Sequence, residues 1–266
     1  MEIESVKVVY FSPTGTTKKV VQAIADGLNH SNVECIDITR PDGRSRPLQT
    51  SEKELLVMAV PVYMGRVPAL LSEWLHTITA QGTPAVCVVV YGNRVYEDAL
   101  IELKDILNHC GCKTIAGGAF IGEHSFSCDE TPTAKDRPDA SDINHAELFG
   151  QKIQEKLSGL SSNPMESDVS IPGCHPYRGD SRLWTVDFIA VSDGCTQCGL
   201  CAEECPVGAI NPDNSSMIDI EKCITCCACI KKCPNQARSM KQGLVKDASV
   251  RLHTLYAERK EPEYLV

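Results

Sequence analysis

Four cysteines, Cys195, Cys198, Cys201 and Cys205, recur 28 residues later as Cys223, Cys226, Cys229 and Cys233, and each set is followed at once by a proline, Pro206 and Pro234. The spacing C-x2-C-x2-C-x3-C-P wraps three thiolates around the corners of a compact cluster, and soft thiolates select iron–sulfur centres or zinc. Zinc sites usually pair two C-x-x-C units across a longer spacer. Here three cysteines stand in close succession twice, which favours iron–sulfur over a pair of zinc sites. The x3 gap and the proline turn carry the fourth cysteine away from its own triplet, so it serves the other cluster. Cys195, Cys198, Cys201 and Cys233 are therefore expected around one 4Fe-4S cluster, and Cys223, Cys226, Cys229 and Cys205 around a second. Cys227, which aligns with Gly199 of the first repeat, reads as a buried thiol beside the second cluster or an alternative ligand to it.

A second chemistry is written at the other end of the chain. Ser12-Pro13-Thr14-Gly15-Thr16-Thr17-Lys18 follows a strand-like run and opens a helical one. Hydroxyls together with the N–H groups of a helix N-terminus make a nest for a phosphate dianion, although an ordinary threonine-capped turn would look similar. Neither G-x4-G-K-[ST] nor G-x-G-x-x-G is present, so a mononucleotide suits this loop better than a dinucleotide. Two further loops, Pro61 to Pro68 and Tyr91 to Tyr96, combine glycine for close backbone approach with tyrosine able to stack on a planar ring. In a doubly wound sheet such loops converge at the carboxyl ends of the strands. The segment Gly122 to Pro138 is long for a connection and reads as a lid or docking surface. Its His124 is read as a loop hydrogen-bonder, with proton donation to a bound cofactor as the sharper alternative. Cys35, Cys87, Cys110, Cys112, Cys128 and Cys174 read as small hydrophobes.

The elements that must position these residues follow from periodicity. Val6 to Phe11, Val33 to Ile38, Glu54 to Val60, Ala85 to Val90 and Thr114 to Ala119 read as strands. Between them run helical stripes: Val20, Ile24 and Leu28; Leu70 through Ile78; Leu100 through Cys110, ended by Gly111; and Ile143 through Leu157, capped by Asp139 or Ser141. Strands alternating with helices imply a parallel sheet covered on both faces. Pro41, Gly43 and Pro47 favour a loop over Thr39 to Lys53, and Ser158 to Arg182 reads as a Pro- and Gly-bearing linker. The tail reads as a short strapping helix around Val250 to Tyr256, or as a frayed end.

Composition narrows the class. The chain has 266 residues, 42% hydrophobic and 23% charged, with 15 cysteines, nine of them between Cys195 and Cys233. The net charge of −9 argues against nucleic acid as the main partner. No run approaches the roughly 20 apolar residues of a membrane span. The first residues lack the basic and apolar regions of a leader, so a cytoplasmic location with reduced, metal-binding thiols is expected.

On its cysteine repeat, the segment 187–240 resembles the bacterial two-cluster ferredoxin, and residues 3 to about 158, on the three loops, resemble flavodoxin; the whole resembles the flavodoxin–ferredoxin fusion proteins of anaerobes. The resemblance implies an α/β fold, a flavodoxin-like five-stranded parallel sheet of order 2-1-3-4-5, plus a small α+β ferredoxin domain. Expected boundaries are 1–160, a linker 161–182, 183–240 and a tail 241–266. The resemblance also implies FMN. Ser12, Thr14, Gly15, Thr16 and Thr17 match the phosphate loop, and Gly65 and Gly92 the ring-edge backbone. Tyr96 is placed on one ring face, Tyr63 or Met64 on the other in place of the usual tryptophan, with Asn93 beside them; Arg66 and Arg94 read as solvated loop charges or, alternatively, as the border of the flavin N1 region. The expected function is electron transfer between two 4Fe-4S clusters and FMN, within the chain or between the copies of a homodimer, with redox proteins as donors and acceptors. The alternative is a flavin-dependent reductase of a quinone or nitro compound, fed by the clusters. No acid–base constellation marks catalytic residues.

Overall fold

The structure is a computed structural model in which residues 3–159, 169–180 and 184–266 are described. Its first half alternates β1 (Ser5–Tyr10), α1 (Thr16–Leu28), β2 (Val33–Asp37), β3 (Gln49–Thr50), β4 (Glu54–Pro61), α2 (Ser72–Leu75), β5 (Thr79–Ala80), β6 (Pro84–Tyr91), α3 (Ala99–His109), β7 (Lys113–Ile121) and α4 (Ala140–Gly159). The main strands pair in parallel in the order β2-β1-β4-β6-β7. With the two-residue β3–β5 ladder set aside, that is the doubly wound order 2-1-3-4-5 of flavodoxin-like folds.

Burial explains the arrangement. All eight residues of β6 are buried, as are Leu55 to Val60 of β4, so neither strand can face water. Val20, Ile24 and Leu28 of α1 and Phe149 and Ile153 of α4 cover one face; Leu71, Trp74, Leu103 and Leu107 cover the other. Asp139 caps α4 by accepting the backbone N–H groups of Ser141 (3.0 Å) and Asp142 (3.1 Å). Gly111, at φ 94°, follows α3 where the sequence predicts the helix end. The helix expected over Leu70 to Ile78 is shorter: a 3-10 turn at Ala69–Leu71 and the single turn of α2. Leu71, Trp74, Leu75 and Ile78 are buried as the periodicity predicts. The Thr77 hydroxyl, however, bonds the Trp74 carbonyl (2.7 Å), and the next residues leave to form β5.

The second unit contains β8 (Ile189–Val191), α5 (Leu200–Glu203), α6 (Ala228–Lys231) and β9 (Arg238–Met240), with β8 and β9 antiparallel. The repeat is visible in its backbone. Gln197 and Thr225, Gly199 and Cys227, and Gly208 and Gln236 pair off as left-handed residues, with φ between 49° and 78°.

The tail corrects the expected five strands to six. After α7 (Leu244–Leu255), β10 (Glu263–Leu265) returns to the first unit and pairs antiparallel with β7 at the sheet edge. Tyr264 holds it there by stacking on Phe120, with ring centroids 6.2 Å apart, and against Phe149 at 5.0 Å. The described part of the linker is packed as well: Val169 and Ile171 enter the sheet's core, and Arg178 makes a two-pronged ion pair with Asp98. Residues 160–168 and 181–183 of that expected linker lie outside the described residues.

Candidate functional site

The cysteine repeat folds so that one expected ligand set lines one cavity. Cys205 of the first repeat meets Cys223, Cys226 and Cys229 of the second there, among Phe188, Ile210, Ile218 and Ile224. This crossed grouping is the one the spacing predicts. The fourth cysteine of each repeat accepts an N–H···S bond from the residue four positions on: Ala209 to Cys205 (3.2 Å) and Ala237 to Cys233 (3.3 Å). Burial pushes the thiols of Cys223, Cys226 and Cys229 up, that of Cys229 to about 12. Such buried sulfurs become thiolates only with a compensating cation, so metal capture and proton release are coupled here. The other set, Cys195, Cys198, Cys201 and Cys233, lies nearer the surface, with Cys198 exposed.

Cys227 occupies the position that Gly199 holds in the first repeat, at φ 57° and 2% exposure. A non-glycine residue there costs about 1–2 kcal/mol, which the burial of its side chain offsets. Cys227→Gly is expected to keep full iron and sulfide content and to change the unfolding free energy by no more than about 1 kcal/mol. Loss of iron would make Cys227 a ligand.

At the other unit, the phosphate loop is shaped by its own side chains. Ser12 accepts the Lys18 N–H on its Oγ (3.0 Å), and its N–H donates to Thr39 Oγ1 (2.8 Å). These bonds set the loop and leave the Ser12 O–H available as a donor. Gly15 sits at φ 91° as the N-cap of α1, and a Cβ there would meet nothing within 4 Å. Thr17 is 1% exposed, and its Oγ1 has no hydrogen-bond partner among the described residues. A buried, unpaired hydroxyl beside an open helix N-terminus suits an anion.

Thr14, Thr16 and Thr17 line a small pocket that also receives Tyr63, Gly92, His124 and, from the second unit, Cys226. The two units meet here. Ile224 packs on the sheet's core. The Arg44 guanidinium bridges the carbonyls of Ile38 and Thr39 to that of Pro206 (2.6 Å). Lys231 reaches the carboxylate of Glu123 and the Ser127 carbonyl (2.8 Å), so the Gly122 to Pro138 loop is a docking surface within the chain.

A much larger cavity, about 1310 Å3, adjoins the small pocket through Val62, Tyr91, Gly92 and His124. Met64, Gly65 and Tyr96 line it as expected of a ring site. Met64 (φ 53°) and Gly65 (φ 82°) form the tight turn between the bridged residues Tyr63 and Arg66. Three residues expected at the ring site, two at its border and one on a ring face, are placed differently. Arg66 is turned away and held by both oxygens of Glu102, under the Tyr177 ring. Asn93 is buried and spends its amide on the carbonyls of Tyr256 (2.7 Å) and Glu258 (2.8 Å), fastening the tail. Tyr63 lines only the small pocket and packs edge-on against Phe11, at 6.5 Å between centroids. Arg94, which does line the cavity, is paired with Glu97 (2.6 Å). Sequence reasoning missed the far walls, Trp184, Arg178, Arg251 and Tyr256, because they lie on the linker, the start of the second unit and the tail.

His124 stands between the two openings, so close to Gly92 that a Cβ there would lie 2.3 Å from its ring. Its Nδ1 accepts the Phe126 N–H (3.0 Å), which leaves the proton of the neutral ring on Nε2. Burial, with the charges of Lys231 and Arg94, pushes its imidazole down from 6.5 to about 4. A depressed histidine favours the fold only while neutral. Its contribution is complete above pH 6.5 and is lost as pH falls toward 4. The urea midpoint is therefore expected to drop between pH 7 and pH 5 more in the native chain than in His124→Gln. Equal drops would remove His124 from that dependence.

Residues 188–234 match the family model of the 4Fe-4S dicluster domain. An uncharacterised ferredoxin of Methanocaldococcus jannaschii is 41% identical over 64 residues, a stretch that is 23% of this chain and 41% of that protein. The match therefore spans less than half of that relative. Solved structures similar to the first half include a flavodoxin from the domain Archaea (18% identity, 58% of this chain, 99% of that chain, TM-score 0.42). A second is the Fusobacterium nucleatum flavodoxin bound to flavin mononucleotide (13% identity, 58% and 97%, TM-score 0.39). The fold reading rests on the strand order rather than on these scores. The chain joins a flavodoxin-like doubly wound sheet to a 4Fe-4S dicluster domain. Among the described residues no helix is long and apolar enough to cross a membrane.

Proposed function

We propose that this chain moves electrons between two 4Fe-4S clusters and a bound FMN within one molecule. The observation that carries the reading is the shared pocket, in which Cys226, an expected ligand of the second cluster, stands with Thr14, Thr16, Thr17 and Gly92. Bound FMN would take up one or two electrons, whereas each cluster passes one at a time.

The residues present fit that group. Thr14, Gly15, Thr16 and Thr17 would hold its phosphate, at the open cradle with the unpaired Thr17 hydroxyl. Gly65 and Gly92 would admit the ring edge and Tyr96 would face the ring. Cys198 of the first set is exposed, which suits uptake from a partner; Cys226 of the second is buried and lines the pocket of the phosphate loop. The neutral His124 offers an Nε2–H between the two openings and adds no charge there.

Anaerobically purified chain should contain iron and sulfide at about eight each, and one releasable FMN. Thr17→Val should weaken FMN binding about tenfold or more, the loss expected for one hydrogen bond to a charged ligand. Zinc in place of iron, or failure of FMN to bind the reconstituted chain, would overturn the reading. The alternative, reduction of a small acceptor beside the flavin, is favoured by one observation, the size of the adjoining cavity.

A further inference from the structure

A carrier that delivers electrons by contact needs no large cavity beside its cofactor. This chain builds one from four separate segments. The loops after β4 and β6 form its floor, the strap around Arg178 to Asp180 and Trp184 form one wall, and α7 with the residues up to Glu263 forms the other. Its volume of about 1310 Å3 exceeds the roughly 300–1,000 Å3 of pockets that hold one drug-sized molecule. An FMN bound as proposed would leave its phosphate end in the small neighbouring pocket, so only its ring would occupy this chamber. We propose, resting on that FMN reading, that the part of the chamber between Trp184 and α7 is a second ligand site, for a planar aromatic molecule carrying a negative charge.

The chemistry of the walls selects that class. Trp184 and Phe126 lie ring over ring, 6.3 Å apart and 24° from parallel, at one side of the chamber, while Tyr96 stands on the floor and Tyr256 at the end of α7. Such faces favour a flat aromatic guest. The cations of the walls are mostly engaged. Arg94 pairs with Glu97, Arg178 with Asp98, and Lys260 donates to the Arg94 carbonyl. Arg251, on the turn of α7 that faces the chamber, is exposed and has no ion-pair or hydrogen-bond partner among the described residues. It is the cation free to meet an anionic substituent, and its planar fork matches a carboxylate or sulfonate. Three side chains of the first unit fasten the tail over the chamber. Asn93 holds Tyr256 and Glu258, Arg137 holds the Lys260 carbonyl (2.8 Å), and Tyr96 holds Glu263 (2.9 Å). The tail is thus a fixed wall of the chamber, on the side that the first unit alone would leave bare.

The test uses the full chain, oxidised and loaded with FMN, without a reductant, so that binding is read apart from turnover. The probes are 1,4-naphthoquinone-2-sulfonate and uncharged 1,4-naphthoquinone. Trp74→Phe leaves Trp184 as the chain's remaining tryptophan, and the flavin absorption of the unaltered chain gives an independent readout. The sulfonate is expected to quench Trp184 saturably, to perturb the flavin band, and to bind about fivefold or more tighter than the neutral quinone, the value of one partly exposed charge pair. Arg251→Glu should erase that preference and Arg251→Lys retain part of it, with iron and FMN content unchanged in both. Absence of saturable binding, or a sulfonate affinity indifferent to Arg251→Glu, would overturn the site. Failure of FMN to load is scored separately by FMN content and would instead overturn the functional reading above.

Discussion

Cys226→Ala is expected to lower the chain's iron from about eight to about four atoms and to abolish reduction of the flavin through the clusters, while FMN still binds. Cys226 is the cysteine of the second set that stands in the pocket of the phosphate loop, and its thiol is deeply buried. Removing it takes away one corner of the buried cluster, in a cavity walled by Ile210, Ile218 and Ile224 that offers no other polar side chain but the cysteines. Cys227 lies next to it at 2% exposure and could supply a substitute ligand. The variant Cys226→Ala with Cys227→Gly closes that route. Cys198→Ala should instead remove the exposed cluster and slow uptake from outside, with the buried cluster intact. Iron analysis with low-temperature electron paramagnetic resonance separates the two cases. An unchanged iron content in the double variant would break the ligand assignment.

Asp142→Ala is expected to have the largest effect on folding, about 3–5 kcal/mol, the usual loss when one partner of a buried ion pair is removed. Asp142 is 0% exposed and Arg137 6%. The carboxylate takes two N–H groups of the guanidinium and the backbone N–H of Asp139 (2.9 Å) at the start of α4. The same guanidinium donates to the Lys260 carbonyl of the tail strap. Loss of the carboxylate should therefore leave a buried, unpaired cation and loosen the strap together. Urea unfolding measures the first consequence, and faster proteolysis of the C-terminal tail after α7 the second. A change below about 1 kcal/mol would mean that water or another acceptor reaches Arg137.

The five parallel strands and the crossing of Cys205 to the cysteines of the second repeat were legible because each is a local pattern with one physical solution. Continuous apolar runs such as Leu55 to Val60 read as central strands, and cysteines spaced by two residues bring Cys223, Cys226 and Cys229 to one cavity. The border of the flavin site was legible only in part. Arg66 and Asn93 stand on the expected loops, but Glu102 and the tail carbonyls, far away in sequence, compete for their polar groups. Nothing in the local sequence signals those partners. β10 was hidden for a related reason: three residues, Glu263–Leu265, carry too little periodicity to mark a strand, and Tyr264 finds its place only against Phe120 and Phe149. The walls of the chamber were unreadable because they are assembled from segments that read as linker and tail. Trp184 offered the one compositional hint, being one of two tryptophans in the chain.

The most direct measurement is anaerobic rapid mixing of the FMN-loaded chain with a low-potential one-electron donor, following cluster bleaching and flavin absorption together. Electron passage within one molecule predicts that the clusters bleach first and the flavin follows at a rate independent of protein concentration, and that Cys226→Ala removes the second phase. Flavin reduction that precedes cluster bleaching, or whose rate rises in proportion to protein concentration, would contradict it.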